Sequence, residues 1–422
     1  MRVLRITASQ EVRVGRKLPV WLLGLANLPL GITGAVALLI TPQVLAARHV
    51  PETTIANITT FGLAGTFAFF LVAPILDVGF SRKTYAIAMS LCAAVLTFLA
   101  VLSFSAVGIL GLLLFLSLLV ANLNTSAIGG WFGSVLPSEY DAPLGGWFTV
   151  ANFGGFGLVS ILGILLVNHE PLWVAATVLA VLNFIPVIII VSVQPPTEDR
   201  RRMIESFGRF GSDLLQLARR SAVRRLLLVL ALPCASFALT NTLGGLGGDY
   251  HASEKLIAAI AGIGVTLAGI FGSLSVPMLG RRIPLLALYL AIGMIGGVST
   301  LSLLVLPHTP AVYTFAFVVQ NVWQSAAIAT GNALVLAGIG KNNPLASTQF
   351  AVLTAAMCAP ITYMQWIDGR AYGAGGLTRL YVTDGGLDLA ACLVMALLFL
   401  FVWKVPAKRP AAETAAAAAG IA

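Results

Sequence analysis

The chain has 422 residues, 58% hydrophobic and only 10% charged, with a formal net charge of +9. Soluble domains carry about 25% charged residues, so a surface this apolar does not suit water and the chain reads as a polytopic membrane protein. The one extended polar stretch, residues 193–225, is shorter than a domain of about 50 residues, which excludes an inserted ATPase, kinase or sensor domain.

A membrane-spanning helix needs about 20 apolar residues. Twelve windows meet that requirement: 18–41, 54–76, 84–104, 107–133, 145–168, 171–193, 224–246, 255–279, 284–306, 311–338, 345–367 and 386–404. The amino terminus is polar through Lys17 and then enters the first window, which reads as a crossing and not as a removable signal peptide. Pro42, Pro51, Pro137, Pro171, Pro307 and Pro344 punctuate the intervals. The expected fold is therefore all-α, with twelve transmembrane helices as two six-helix bundles. Residues 1–194 form the first bundle and 224–404 the second. Residues 195–223 form a central loop, and 405–422 a disordered tail.

With twelve spans both termini share one side. That side holds 21 of the 25 Lys and Arg residues; Arg48, Lys255, Arg370 and Arg379 fall on the other. The positive-inside rule then places the termini and the central loop in the cytoplasm, with a bacterial inner membrane as the expected location. These positions also assign the net charge to orientation and lipid headgroups, not nucleic acid. Within the loop, Met203, Ile204, Phe207, Phe210, Leu214, Leu215 and Leu217 recur at near-helical spacing among charges. This is the pattern of an amphipathic interfacial helix.

Three anchors repeat in order. Leu28-Pro29 pairs with Leu232-Pro233 at an offset of 204, Pro74–Asp77 with Pro277–Gly280 at 203, and Pro143–Gly146 with Pro344–Ser347 at 201. Six is even, so both halves run the same way through the membrane, as in transporters built from parallel repeats.

The segment Ala73-Pro-Ile-Leu-Asp77-Val-Gly-Phe-Ser-Arg82-Lys83 resembles the loop signature G-x-L-x-D-R-x-G-R-K of the major facilitator superfamily. Ala73, Val78 and Phe80 depart from it. The second half keeps only the basic pair Arg281-Arg282. The resemblance implies two bundles rocking about a central cavity, with Asp77, Arg82, Lys83, Arg281 and Arg282 at a cytoplasmic gate. In the eleventh window, Leu345-Ala-Ser-Thr348-Gln349-Phe-Ala351 is similar to the peptide–acetyl-coenzyme A transporter group. That group includes AmpG-type muropeptide permeases and siderophore importers, which implies a muropeptide-like substrate first and a siderophore second.

Ionisable residues inside a membrane are costly and mark ion or proton paths. The windows hold almost none away from their ends, so coupling is assigned to Asp368 and Arg370, with Asp384 and Asp388 flanking the start of the last span. Amides are plentiful instead. Gln320, Asn321, Gln324 and Asn332 follow a near-helical stripe in the tenth window. Asn27, Asn57, Asn122, Asn124, Asn152, Asn241, Gln349 and Gln365 lie in others. Buried amides need partners, and these are read as lining an uncharged substrate cavity. Gly244-Gly245-Leu-Gly247-Gly248 reads as a flexible periplasmic gate, and the glycines of the fifth and eighth windows as close-packing positions.

The expected activity is secondary transport of a polar small molecule by a monomer, with protons as a candidate co-substrate and no cofactor or metal. The four cysteines lie in apolar runs without CxxC spacing, the four histidines are scattered over loops, and no GxxxxGK[ST] loop for ATP occurs. A metabolite or drug exporter of the same fold and a transporter-like receptor are the alternatives.

Overall fold

The computed structural model describes residues 19–193, 215, 219–340 and 343–403. Most of the expected interfacial helix and the tail 405–422 lie outside these residues. Every described regular element is helical. The first half consists of α1 (Val20–Ala47), α2 (Thr53–Asp77), α3 (Arg82–Ser105), α4 (Val107–Val135), α5 (Ser138–His169) and α6 (Leu172–Ser192). In the second half, α7 runs over Ser221–Ala231 and resumes beyond an irregular stretch as Leu239–Thr242 and the 3₁₀ turn Leu243–Tyr250. Next come α8 (residues 254–279, with a π turn at Ile260–Gly264), α9 (Leu285–Ser302) and α10 (Pro310–Ile339). The last two crossings, α11 (346–374) and α12 (377–403), follow without a loop. Gly375 and Gly376 turn the chain, and Gly376 takes a φ of +62° that a side chain would resist.

Local sequence explains where these helices bend. Proline lacks an N–H, yet α1 continues through Pro42. A π turn at Val36–Ile40 precedes it, and the Thr41 hydroxyl donates to the Val36 carbonyl at 2.7 Å. The repeated Leu-Pro pairs mark discontinuities in both halves. Leu28-Pro29 follows a 3₁₀ turn at Leu25–Asn27, and Leu232-Pro233 opens the break in α7. The expected unbroken seventh helix over 224–246 is thus corrected, because Pro233 cannot continue the ladder. The twelfth helix starts nine residues before the expected 386. Arg379 and Asp384 had made that first part too polar for an apolar window.

Phe61, Leu71, Val95, Ile188, Phe271, Met278, Leu400 and Phe401 are exposed on the outer surface, as a lipid-facing belt requires. Inside, glycine allows backbones to touch. A Cβ at Gly31 in α1 would lie 2.1 Å from the Asn152 carbonyl oxygen of α5, and one at Gly272 in α8 would lie 2.1 Å from that of Val322 in α10. The halves meet in the same manner: Gly130 of α4 abuts Ser347 of α11, and Gly145 of α5 abuts Ala329 and Ala333 of α10. One apolar cluster spans this boundary, joining Ile128, Trp131 and Phe132 of α4 to Ile339, Phe350 and Leu353. It lies toward the face that carries the α2–α3 and α10–α11 loops, called here the basic face.

Gly31→Ala is expected to destabilise the protein by about 1–3 kcal/mol through overpacking. Gly34→Ala, whose new methyl would sit 3.5 Å from the Phe156 ring, should be close to neutral. Thermal unfolding of the two purified variants in detergent makes the comparison.

Candidate functional site

The α2–α3 loop of the first half reaches the second half. Arg82 donates to Asp77 through Nε at 3.0 Å and Nη2 at 2.9 Å, both side chains buried. The same Nη2 donates to the carbonyls of Asn343 and Pro344 at 3.0 Å each. Asp77 accepts from the backbone N–H of Ser347 at 3.1 Å, and from the N–H and hydroxyl of Thr348 at 2.7 Å each. These are the opening residues of α11, whose N–H groups have no partner within the helix. Asp77 therefore caps α11 from the opposite half, with its charge at the positive end of the helix dipole. The Asn343 side chain accepts from Leu345 N–H and donates to Gln349 Oε1, which fixes the loop that Arg82 grips.

The other expected gate residues behave differently. Lys83 donates to the carbonyls of Val191 and Val193 at 2.9 and 2.6 Å, so it caps the C-terminus of α6 within its own half. Arg281 and Arg282 are exposed and form no hydrogen bond across the halves.

The amides divide by location. Asn27 donates to Phe148 O on α5 and accepts from the Thr125 hydroxyl on α4, while Asn124 joins Ser90 of α3 to Ala26 O. Asn122 and Asn321 bond back to their own helices at Leu118 O and Phe317 O. Gln320 donates to Thr300 on α9, Gln324 to Thr240 on α7, and Asn332 to Thr149 on α5 across the halves. Gln349 donates to Gly338 O in the α10–α11 connection. The stripe on α10 is thus largely spent on interhelical bonds and does not line open space. Gln349 belongs to the latch. Asn57, Asn241 and Gln365 are exposed and Asn152 is half-exposed. Asn241 and Gln365 face one another at 3.5 Å. Exposed amides within spanning segments call for water rather than lipid.

The acids overturn the expectation that the spans hold almost none. Asp368 on α11 and Asp384 and Asp388 on α12 are 0%, 1% and 2% exposed. Asp368 and Asp384 are within hydrogen-bonding reach of one another, and neither oxygen of Asp368 meets another donor. Asp384 accepts from Thr300 at 3.1 Å, continuing the link from Gln320, and Asp388 accepts from Ser236 in the α7 break at 3.0 Å. Arg370 does not partner Asp368: it is exposed and lies 3.9 Å above the Trp366 ring. Residues two apart on a helix point to different sides, so the pair read from the sequence separates. The spacing Asp384-Gly-Gly-Leu-Asp388 was the available signal, since i and i+4 share a helix face. Among the described residues no group of three His, Cys, Asp or Glu is placed to hold a metal ion.

Ionised carboxylates only accept hydrogen bonds. Two carboxyls can therefore bond to one another only when one of them carries a proton.

No family model matches the chain, and no curated protein matches it by sequence. Solved structures do. The E. coli fucose:proton symporter FucP superposes with a TM-score of 0.70 at 16% identity, covering 90% of this chain and 97% of that one. The proton:xylose symporter XylE gives 0.70 at 12%, covering 91% and 95%. A bacterial homologue of the iron transporter ferroportin in its outward-facing state gives 0.62 at 15%, covering 91% and 99%. The chain has the major facilitator superfamily fold, with twelve helices in two bundles.

Asp77→Ala strips the cap from α11 and leaves Arg82 buried without its anion, a loss of about 3–5 kcal/mol for a broken buried pair. In a Ser347→Cys background, the rate of thiol alkylation from the basic face should rise steeply with Asp77→Ala. Replacing Lys83 by Ala should leave that rate nearly unchanged.

Proposed function

We propose that this chain is a secondary active transporter that carries a polar metabolite together with protons through a cleft open to the face opposite the latch, by rocking of residues 1–194 against 224–404. The observation that carries this reading is the closed latch between Asp77, Arg82 and α11 on one face, paired with exposed amides on the other. That is the arrangement of one end-state in an alternating-access cycle. The fold shared with two sugar:proton symporters supports the reading, as does the buried carboxyl pair Asp368–Asp384. The solved structures it resembles are transporters, which supports reading the chain as a non-enzyme.

The concentration of Lys and Arg orients the latch toward the cytoplasm, with both termini on that side of a bacterial inner membrane. The conformation is then outward-facing. The exposed amides Asn241 and Gln365, with Asn152, are the proposed substrate contacts, joined by Asn57 at the cleft edge. Hydrogen-bonding groups without fixed charge suit hydroxyl- and amide-rich solutes, and the likeness in α11 makes a muropeptide-like molecule the first choice and a siderophore the second. A single chain carries both halves of the cycle, so a monomer suffices.

Purified protein in liposomes, given muropeptide, sugar and ferric-siderophore panels, is expected to accumulate one class only when an inward proton gradient is imposed. Asp368→Asn should abolish that accumulation while leaving counterflow of labelled solute, which needs no net proton movement. Binding without counterflow would identify a receptor instead.

A further inference from the structure

We propose that Asp384 and Asp388 extend the Asp368 site into a proton ladder along α12, whose inner rung controls the break in α7 through Ser236. The inference rests on the proton-coupled reading above and adds the element through which the proton acts.

The two aspartates are one helical turn apart on the same face of α12. The outer one meets Asp368, and the inner one accepts from the Ser236 hydroxyl at 3.0 Å. Around Asp388 stand Ser236 from the α7 break, Tyr289 from α9, Asp368 and Tyr363 from α11, and Asp384 and Cys392 from α12. None of these is basic, so its charge has no opposite charge to balance it. The unpartnered Asp368 oxygens, buried and directed at Asp384, are the independent sign that the ladder takes a ligand, and the bonding reach between two carboxyls selects the proton.

Ser236 lies within residues 232–238, where α7 is not helical. Phe237 there holds a φ of +48° although it is not glycine and is buried. Tyr363 donates to Ala231 O and Cys392 to Cys234 O, so α11 and α12 grip the break just ahead of the Asp388–Ser236 bond. A hydroxyl donating to an ionised carboxylate forms a bond about twice as strong as one to a neutral acceptor. A hydronium ion in the cleft gives one proton to the Asp368–Asp384 pair and leaves as water, and the pair passes one proton to Asp388. The pair ends with the proton count it began with, Asp388 becomes neutral, and only these O–H bonds form and break. Ser236 is released, and the outer part of α7, residues 239–250, is free to swing over the cleft.

Spin labels at Ala47→Cys on α1 and Gly245→Cys on α7 report that swing without any substrate, in full-length protein with Cys92→Ser, reconstituted in lipid nanodiscs. Both sites are exposed, and an added side chain at Gly245 meets nothing within 4 Å. The distance distribution should shift as pH is lowered. The shift should be lost in Asp388→Asn and Ser236→Ala, retained in Ser236→Thr, and moved in midpoint by Asp368→Asn. His308, whose ring lies 5.2 Å from that of Tyr250 on the moving segment, and Asp249, which accepts from the Tyr372 hydroxyl at 2.8 Å, are the competing titratable groups. An unchanged shift in Asp388→Asn, its loss in His308→Gln or Asp249→Asn, or no shift in the parent protein overturns the proposal. Because the readout is a distance, it fails separately from the uptake experiment: a shift without uptake leaves the ladder intact and removes the transport reading.

Discussion

Within a bilayer no water is present to satisfy a backbone N–H or C=O, so each must be bonded inside the protein. Where α7 abandons helical geometry, its carbonyls require donors from elsewhere. Tyr363 supplies one to Ala231 O at 2.9 Å, Cys392 one to Cys234 O at 2.9 Å, and Thr240 one to Phe237 O at 2.7 Å. Gln324 adds a further contact to the same region. The polar side chains of α10, α11 and α12 are therefore organised around the break. Straightening α7 would leave several of them without partners, at a cost of about 1–3 kcal/mol for each buried group.

The two halves, though repeats in sequence, divide their polar residues differently. In the first half Asn27, Asn124, Thr125 and Ser90 cross-link α1, α3, α4 and α5 into one hydrogen-bonded unit. The second half concentrates its polar groups on carboxyls and on a helix that is interrupted. The latch is likewise one-sided. Asp77 and Arg82 act from the first half on α11, whereas Arg281 and Arg282 have no acid at the position equivalent to Asp77, which is Gly280.

Glycine sets how close these parts approach. At Gly31, Gly130, Gly145 and Gly272 a single added carbon would meet backbone atoms of the facing helix. Helix contacts in lipid gain little from the hydrophobic effect, since the tails are as apolar as leucine, and depend on close packing and hydrogen bonds.

Class, number of crossings, repeat and the acid at the α2–α3 loop were legible in the sequence, because apolar length, charge placement and proline spacing are local quantities. Asp77 was legible for the same reason: it stands beside Arg82 in a short loop. The role of the amides was not. Asn321 and Asn332 share a stripe in sequence, yet one bonds to its own helix and the other crosses to α5. Lys83 and Arg82 are adjacent in sequence, yet one caps α6 while the other holds α11. The carboxyl pair was hidden for a further reason. Asp368 and Asp384 lie on different helices separated by the turn at Gly375–Gly376, and the polarity of Arg379 and Asp384 concealed the first part of the helix that carries Asp384. The sequence by itself determined which segments are apolar enough to enter the membrane. Only the tertiary structure decided which polar groups meet, since a hydrogen bond requires its partner within about 3 Å, and that separation is set by the packing of distant helices.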